Sequence, residues 1–326
     1  MGLGLGDFSK IMPANIGFQA SPVKQDAQAK FYVQGLDDAT RILREDLIII
    51  GGTTGFGKTQ LATSMAVNNA KNGFKVCYFA LEAFKHEIEF RIKWQHMTQE
   101  WYKYNNEYIS YINWLSGDYV NHKELSEIET RVAERLEIDL GDNLYIRYRD
   151  NEKYSVQNFE NELGSVAEFN LLIIDHLHYF DFDNPNELIA IKETIKKIRD
   201  LTLIYKVPIV LISHLRKRAS MSKTLCPDLD EFHGSSDITK VATKVITISR
   251  ANDKEQPEPW LHPTYFRICK DRYDGSLSRF LFEVMYSSKT QCYQNRYNLE
   301  TLDMSGEKSR EIERQHMPYW YKMHSF

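Results

Sequence analysis

From residue 46 onward, short runs of consecutive apolar residues alternate with longer stretches in which apolar residues recur every three or four positions. DLIII (46–50), KVCYFA (75–80), LLIID (171–175), VPIVLIS (207–213) and KVITIS (244–249) are apolar at successive positions, the mark of strands buried on both faces. Residues 58–72 read as a helix. Over 185–207, Leu188, Ile191, Ile195, Ile198 and Leu201 trace one face of an amphipathic helix, with Asn186 as its cap. The alternation predicts an α/β fold with a mainly parallel central sheet. TYFRICK (264–270) and SRFLFEV (278–284) flank Asp274 and Gly275, so the sheet is expected to end in an antiparallel hairpin. Residues 94–138 are helical in propensity and carry Trp94, Trp101, Tyr102, Tyr104, Tyr108, Tyr111 and Trp114. Such a segment serves either as an aromatic cover over the sheet or as a base-stacking surface.

Punctuation divides the chain into three. Residues 1–34 are rich in Gly, Pro, Ser and Gln, without a sustained apolar period, and read as an arm or linker with a short helix over 7–12 and little core. Residues 35–290 form the α/β domain. Residues 291–326 are polar and charged, then aromatic in PYWYKMHSF, and read as a tail whose Tyr319, Trp320 and Tyr321 either pack on the core or bind a partner.

Composition changes this picture little. With 326 residues, 42% hydrophobic and 26% charged, the chain can bury an enzyme-sized core. A net charge of −4 supplies no basic field, so a nucleic-acid partner would have to be held by local patches. Four scattered cysteines (Cys77, Cys226, Cys269, Cys292) form no CxxC pair, which fits a reducing, cytoplasmic setting. No apolar run approaches the roughly 18 residues that a membrane span requires.

The chemistry centres on Gly52-Thr53-Thr54-Gly55-Phe56-Gly57-Lys58-Thr59, a G-x-x-x-x-G-K-T sequence directly after one predicted strand and directly before a helix that continues through Gln60. Glycines let backbone N–H groups approach phosphate oxygens, the helix N-terminus favours an anion, Lys58 offsets phosphate charge and Thr59 can ligate magnesium. Asp175 ends an apolar strand, where a carboxylate can join the magnesium shell. Glu82 follows another strand and can orient or deprotonate water, or simply be solvated. His214 follows VPIVLIS and can sense a γ-phosphate or serve a structural role. Lys270 and Arg272 sit at the tip of the predicted hairpin, either solvated or reaching a neighbouring copy's nucleotide as an arginine finger. Arg216, Lys217, Arg218 and Lys223 make the segment after His214 basic, which serves either to contact nucleic-acid phosphates or simply as a solvated loop.

Taken in order, GGTTGFGKT, FALEAF, IIDHLHYF, VLISHLRKR, HGSSDITKVATKVITISR and KDRYDG resemble the motifs of the RecA-like ATPase domain of DnaB-type replicative helicases and of related phage and mitochondrial primase-helicases. NLYIRYRDNEKYSVQNFENEL is similar to the strand and helix that precede the Walker B motif in that family. The likeness spans most of residues 35–290. It implies a RecA-like P-loop NTPase that uses ATP and Mg2+ as a helicase or translocase on single-stranded DNA. The expected assembly is a ring, a hexamer, with nucleotide at each subunit boundary. Lys58, Thr59, Asp175 and Glu82 would act in cis, Lys270 and Arg272 in trans, and a replication or loading protein is an expected partner. The chain departs from many members in placing Lys240 where they carry Gln. The competing readings are a RecA-like recombination or annealing protein that forms filaments on single-stranded DNA, and a regulatory P-loop ATPase without a nucleic-acid substrate.

Overall fold

The computed structural model of the chain describes residues 29–150, 153–164, 169–182, 184–215, 225–232, 240–250, 258–303, 307 and 318–321. The consecutive apolar runs are all strands: β1 (Leu47–Gly52), β2 (Val76–Ala80), β4 (Leu171–Asp175), β5 (Ile209–His214) and β6 (Lys244–Arg250), joined by β3 (Leu144–Tyr148). They lie in one nine-stranded sheet of order β3-β2-β4-β5-β1-β6-β7-β8-β9, completed by β7 (Leu261–Asp271), β8 (Phe280–Ser287) and β9 (Cys292–Thr301). Every pairing from β3 to β6 is parallel, and β6 through β9 pair antiparallel.

Strand alternation sorts the core into two layers. Ile48 and Ile50 of β1 face one side, with α2 (Lys58–Lys71), α3 (Glu87–Tyr104) and α5 (Lys123–Leu140), while Leu47 and Ile49 face α6 (Val156–Gly164) and α7 (Glu187–Tyr205). The Asn186 side chain caps α7 by accepting from the amides of Leu188 and Ile189, and Ile191, Ile195, Ile198 and Leu201 are buried as the spacing predicts. Leu188 departs from that prediction. It lies in the first, capped turn, before the buried face begins at Ala190, and is 54% exposed.

The aromatic segment folds as α3, a short α4 (Tyr111–Leu115) and α5. Trp94 and Trp101 are fully buried, and Trp94, Tyr111 and Trp114 pack ring on ring, so these rings cover the sheet; Tyr104 and Tyr108 are exposed.

The structure differs from the sequence expectation at both margins. Phe31 and Val33, in the stretch read as a coreless arm, are completely buried beside α1 (Gln34–Ala39). The tail expected from residue 291 instead begins with β9, whose Tyr297 and Leu299 are buried against the sheet. Trp320 and Tyr321 pack on Phe280, Phe282 and Tyr297, while Tyr319 points into solvent. The expected hairpin is present as β7–β8 and extends into a three-stranded meander. The short helix expected over 7–12 lies outside the described residues. Among the described residues no helix is long and apolar enough to cross a membrane.

Candidate nucleotide site

Parallel pairing brings the C-terminal ends of the strands to one edge. Gly52 is in register with His214 and Ile248, and Ala80 with Asp175, so the C-terminal ends of β1, β2, β4, β5 and β6 lie together. There they enclose a cleft of about 640 Å³ lined by Thr54, Gly55, Gly57, Lys58, Thr59 and Gln60 of the glycine-rich loop. Glu82, Asp175, His214, Arg91, Arg250 and Tyr286 line its other walls. Such a crevice at strand C-termini is where open α/β sheets take ligands.

The loop conformation needs its glycines. Gly55 and Gly57 have φ of 86° and 87°, and a Cβ on Gly57 would come within 2.3 Å of the Tyr293 hydroxyl. That hydroxyl, from β9, donates to the carbonyls of Phe56 (3.3 Å) and Gly57 (3.1 Å) and supports the loop from beneath. The Phe56 side chain packs on the core rather than facing the cleft. The Lys58 ammonium folds back along the loop, donating to the carbonyls of Gly52 (2.9 Å) and Thr53 (3.1 Å). Burial lowers its pKa, against the pull of the Asp175 and Glu82 carboxylates.

Asp175 is buried, accepts from the Tyr78 hydroxyl at 2.9 Å and is hydrogen-bonded to Thr59. Burial raises its pKa while these two hydroxyls oppose the shift. Its backbone carbonyl accepts from the amides of Leu81 (2.8 Å) and Glu82 (3.3 Å), which fixes Glu82 beside it. Burial first, and then the neighbouring Asp175 charge, raise the Glu82 pKa above the ordinary carboxylate value. The Thr59 hydroxyl and the Asp175 carboxylate are hard oxygen donors meeting where the loop turns into α2, a donor set that fits Mg2+.

His176, directly after Asp175, is a site residue that the sequence reading did not single out. Its Nε2 lies 3.1 Å from Glu82 Oε2, its Nδ1 accepts from the amide of His178 at 3.3 Å, and its ring meets that of His214 edge to face at 4.2 Å. His214 in turn approaches the Thr54 hydroxyl at 3.4 Å. Burial, together with the nearby His214, His178 and Lys58, pushes the His176 pKa down to about 3. Ligand atoms of Glu82, His176 and His214 lie within 4.8 Å of one another, a spacing open to a cation. The His178 amide, however, occupies the Nδ1 lone pair, so neutral His176 carries its proton on Nε2 and presents Glu82 with a donor. His176 is therefore hydrogen-bonded to Glu82 and in ring contact with His214.

At the cleft's other wall, the Arg250 guanidinium lies 4.9 Å over the buried Tyr286 ring, and Arg91 is held by Glu87 at 2.7 Å. Position at the C-terminal end of β6 is the signal that could have found Arg250. Tyr293 had no such signal, because its partners lie 236 and 237 residues away.

Lys270 and Arg272 are not in this cleft. Lys270 pairs with Val245 at the start of β6, whereas the glycine-rich loop follows the opposite end of the sheet. The Lys270 ammonium donates to the carbonyls of Lys240 (3.1 Å) and Ala242 (2.6 Å), and the Arg272 amide donates to Thr243. A buried network anchors this turn. Lys244 lies 3.1 Å from Asp46 and 3.7 Å from Asp271, and Asp271 accepts from the Thr40 hydroxyl and the Tyr273 amide. Lys240 is exposed. Arg216, Lys217, Arg218 and Lys223 lie outside the described residues, as does 233–239 of the Gly-Ser motif.

A glycine-rich loop between β1 and α2, with Asp175 two strands away across β5, defines a P-loop NTPase with a RecA-like sheet. The chain belongs to the family described as DnaB-like helicase C terminal domain, whose model matches residues 31–295. It is 24% identical over 233 residues to probable plasmid replicative DNA helicases of Chlamydia trachomatis, including that of serovar L2, and this match covers 68% of the chain. The chain spans about half the length of these relatives, 47%. Its fold is similar to a solved structure described as an ATPase domain, with a TM-score of 0.67 at 16% identity over 89% of this chain and 99% of that one. It is also similar to a DnaB-like replicative helicase studied with primase, with a TM-score of 0.65 at 16% identity over 88% of this chain and 67% of that one.

Proposed function

We propose that this chain is the ATP-hydrolysing motor of a DNA helicase or translocase, acting in the cytoplasm on single-stranded DNA as a ring of copies, a hexamer. The observation that carries the reading is the separation of two sets of side chains. Lys58, Thr59, Asp175 and Glu82 converge on one end of the sheet, while Lys270 and Arg272 stand at the other, so a single copy holds both halves of a site and unites neither.

In this reading Lys58 leaves the carbonyls of Gly52 and Thr53 for phosphate oxygens of ATP, and the amides of residues 54–59 cradle the phosphates. Mg2+, held by Thr59 and Asp175, neutralises phosphate charge when bound. Glu82 accepts a proton from the attacking water and His214 meets the γ-phosphate. Arg272 and Lys270 from a neighbouring copy stabilise the transition-state charge. The basic residues Arg216, Lys217, Arg218 and Lys223 follow His214 in sequence, which ties strand contact to nucleotide state. The relatives' description as plasmid replicative helicases supports a replication role, and the neighbour studied with primase makes a replication protein a natural partner.

ATP turnover measured with and without single-stranded DNA, across size-exclusion fractions, tests this. Turnover that is confined to assembled fractions and stimulated by the strand, with closed rings in negative stain and unwinding of a forked duplex, is expected. Helical filaments without unwinding would favour the recombinase reading, and turnover indifferent to DNA would favour a regulatory ATPase.

A further inference from the structure

We propose that His176 is a positioning residue that aims the Glu82 carboxylate and ties that aim to His214, the residue beside the γ-phosphate. The inference rests on the nucleotide reading above and deepens it. Glu82 is nearly half exposed, 48%, so its side chain would otherwise sample several rotamers, only some of which face a water in line with the phosphate. His176 is 4% exposed and has no such freedom. The His178 amide sets its tautomer through Nδ1, leaving Nε2–H to hold Glu82 Oε2 and the second carboxylate oxygen to accept from water. The ring of His176 rests edge-on against His214, which reaches Thr54 of the glycine-rich loop. A displacement of His214 by an arriving phosphate therefore presses on the group that holds the base. His176 does not touch the reacting atoms and transfers no proton.

The test is a double-mutant cycle in steady-state and single-turnover ATP hydrolysis by the full chain, with nucleotide affinity and melting temperature measured on every variant. His176→Phe keeps the ring and removes the donor, while His176→Gln keeps a donor. His176→Leu repeats the cycle if Phe does not fit the site. Misplacing a catalytic group by about 1 Å can cost on the order of 100-fold, so His176→Phe is expected to lower kcat roughly 10- to 100-fold with the KM for ATP changed less than about twofold. His176→Gln is expected to recover most of the loss. In a Glu82→Gln background, His176→Phe should have no further effect, because the group it aims is gone. Equal losses in both backgrounds, or a His176→Phe kcat near wild type beside an impaired Glu82→Gln, would overturn the proposal while leaving the nucleotide site intact. A Glu82→Gln variant as active as wild type would overturn the assignment of Glu82 as base, and the role of His176 with it.

Discussion

The carboxylate and ammonium groups of the cleft have different tasks because their surroundings differ. Lys58 is held by the carbonyls of its own loop, a contact that phosphate oxygens can replace, so Lys58→Ala should abolish ATP binding in a fluorescent-nucleotide titration. Glu82 makes no such contact with the loop. Glu82→Gln should bind ATP within a fewfold of wild type yet hydrolyse it on the order of 100- to 10,000-fold more slowly, the range for losing a general base. His176 also leaves a signature in stability. Its folded pKa of about 3 lies below that of an unfolded histidine, so above about pH 6.5 both states are neutral and it has no effect on the pH dependence. As pH falls from there towards 3, only the unfolded chain takes up the proton and the fold loses stability, on the order of a few kcal/mol in all. Urea midpoints between pH 7 and pH 4 should therefore fall less steeply for His176→Phe than for wild type. Equal slopes would show that His176 does not titrate between the two states.

Strands that are apolar at successive positions were legible along the chain because burial on both faces leaves no polar position to interrupt them, as in LLIID and VPIVLIS. The glycine-rich loop was legible because its spacing, its preceding strand and its following helix coincide. β9 was not, because only Tyr297 and Leu299 are buried and the first half of the strand, CYQNR, carries polar residues on an outer strand. That strand nevertheless supports the nucleotide loop through Tyr293. Tyr293→Phe removes the hydroxyl proton shared between two loop carbonyls and should cost about 1 kcal/mol of stability, with ATP affinity weakened several-fold. At the sheet's other end, Lys244 was read only as part of a strand, and its burial between Asp46 and Asp271 could not be foreseen from an apolar run. Lys244→Met leaves two buried carboxylates without their cation and should cost about 3–5 kcal/mol in a urea unfolding titration. Because Asp271 holds the turn that carries Arg272, the same change should also depress ATP turnover in whatever protein remains folded.

At the scale of the whole molecule, the sheet separates two sets of charged residues that the proposed function brings together. The parallel strands deliver Lys58, Asp175 and Glu82 to one end, and the antiparallel return of β7 carries Lys270 and Arg272 to the other. In the proposed assembly, head-to-tail packing of copies brings the second set to the first, and such a heterologous contact closes into a ring or runs on as a helix. Arg272→Ala should then bind ATP normally while losing DNA-stimulated hydrolysis. The most direct measurement mixes two variants, each expected to lack DNA-stimulated hydrolysis alone. In Lys58→Ala the cleft cannot bind ATP but Arg272 is intact; in Arg272→Ala the cleft is intact but the finger is missing. Seams formed between an Arg272→Ala cleft and an Arg272 supplied by Lys58→Ala should hydrolyse ATP, with turnover rising as the two are mixed and peaking at intermediate ratios. A mixture no more active than its separate components, despite demonstrated co-assembly, would contradict a site shared between copies.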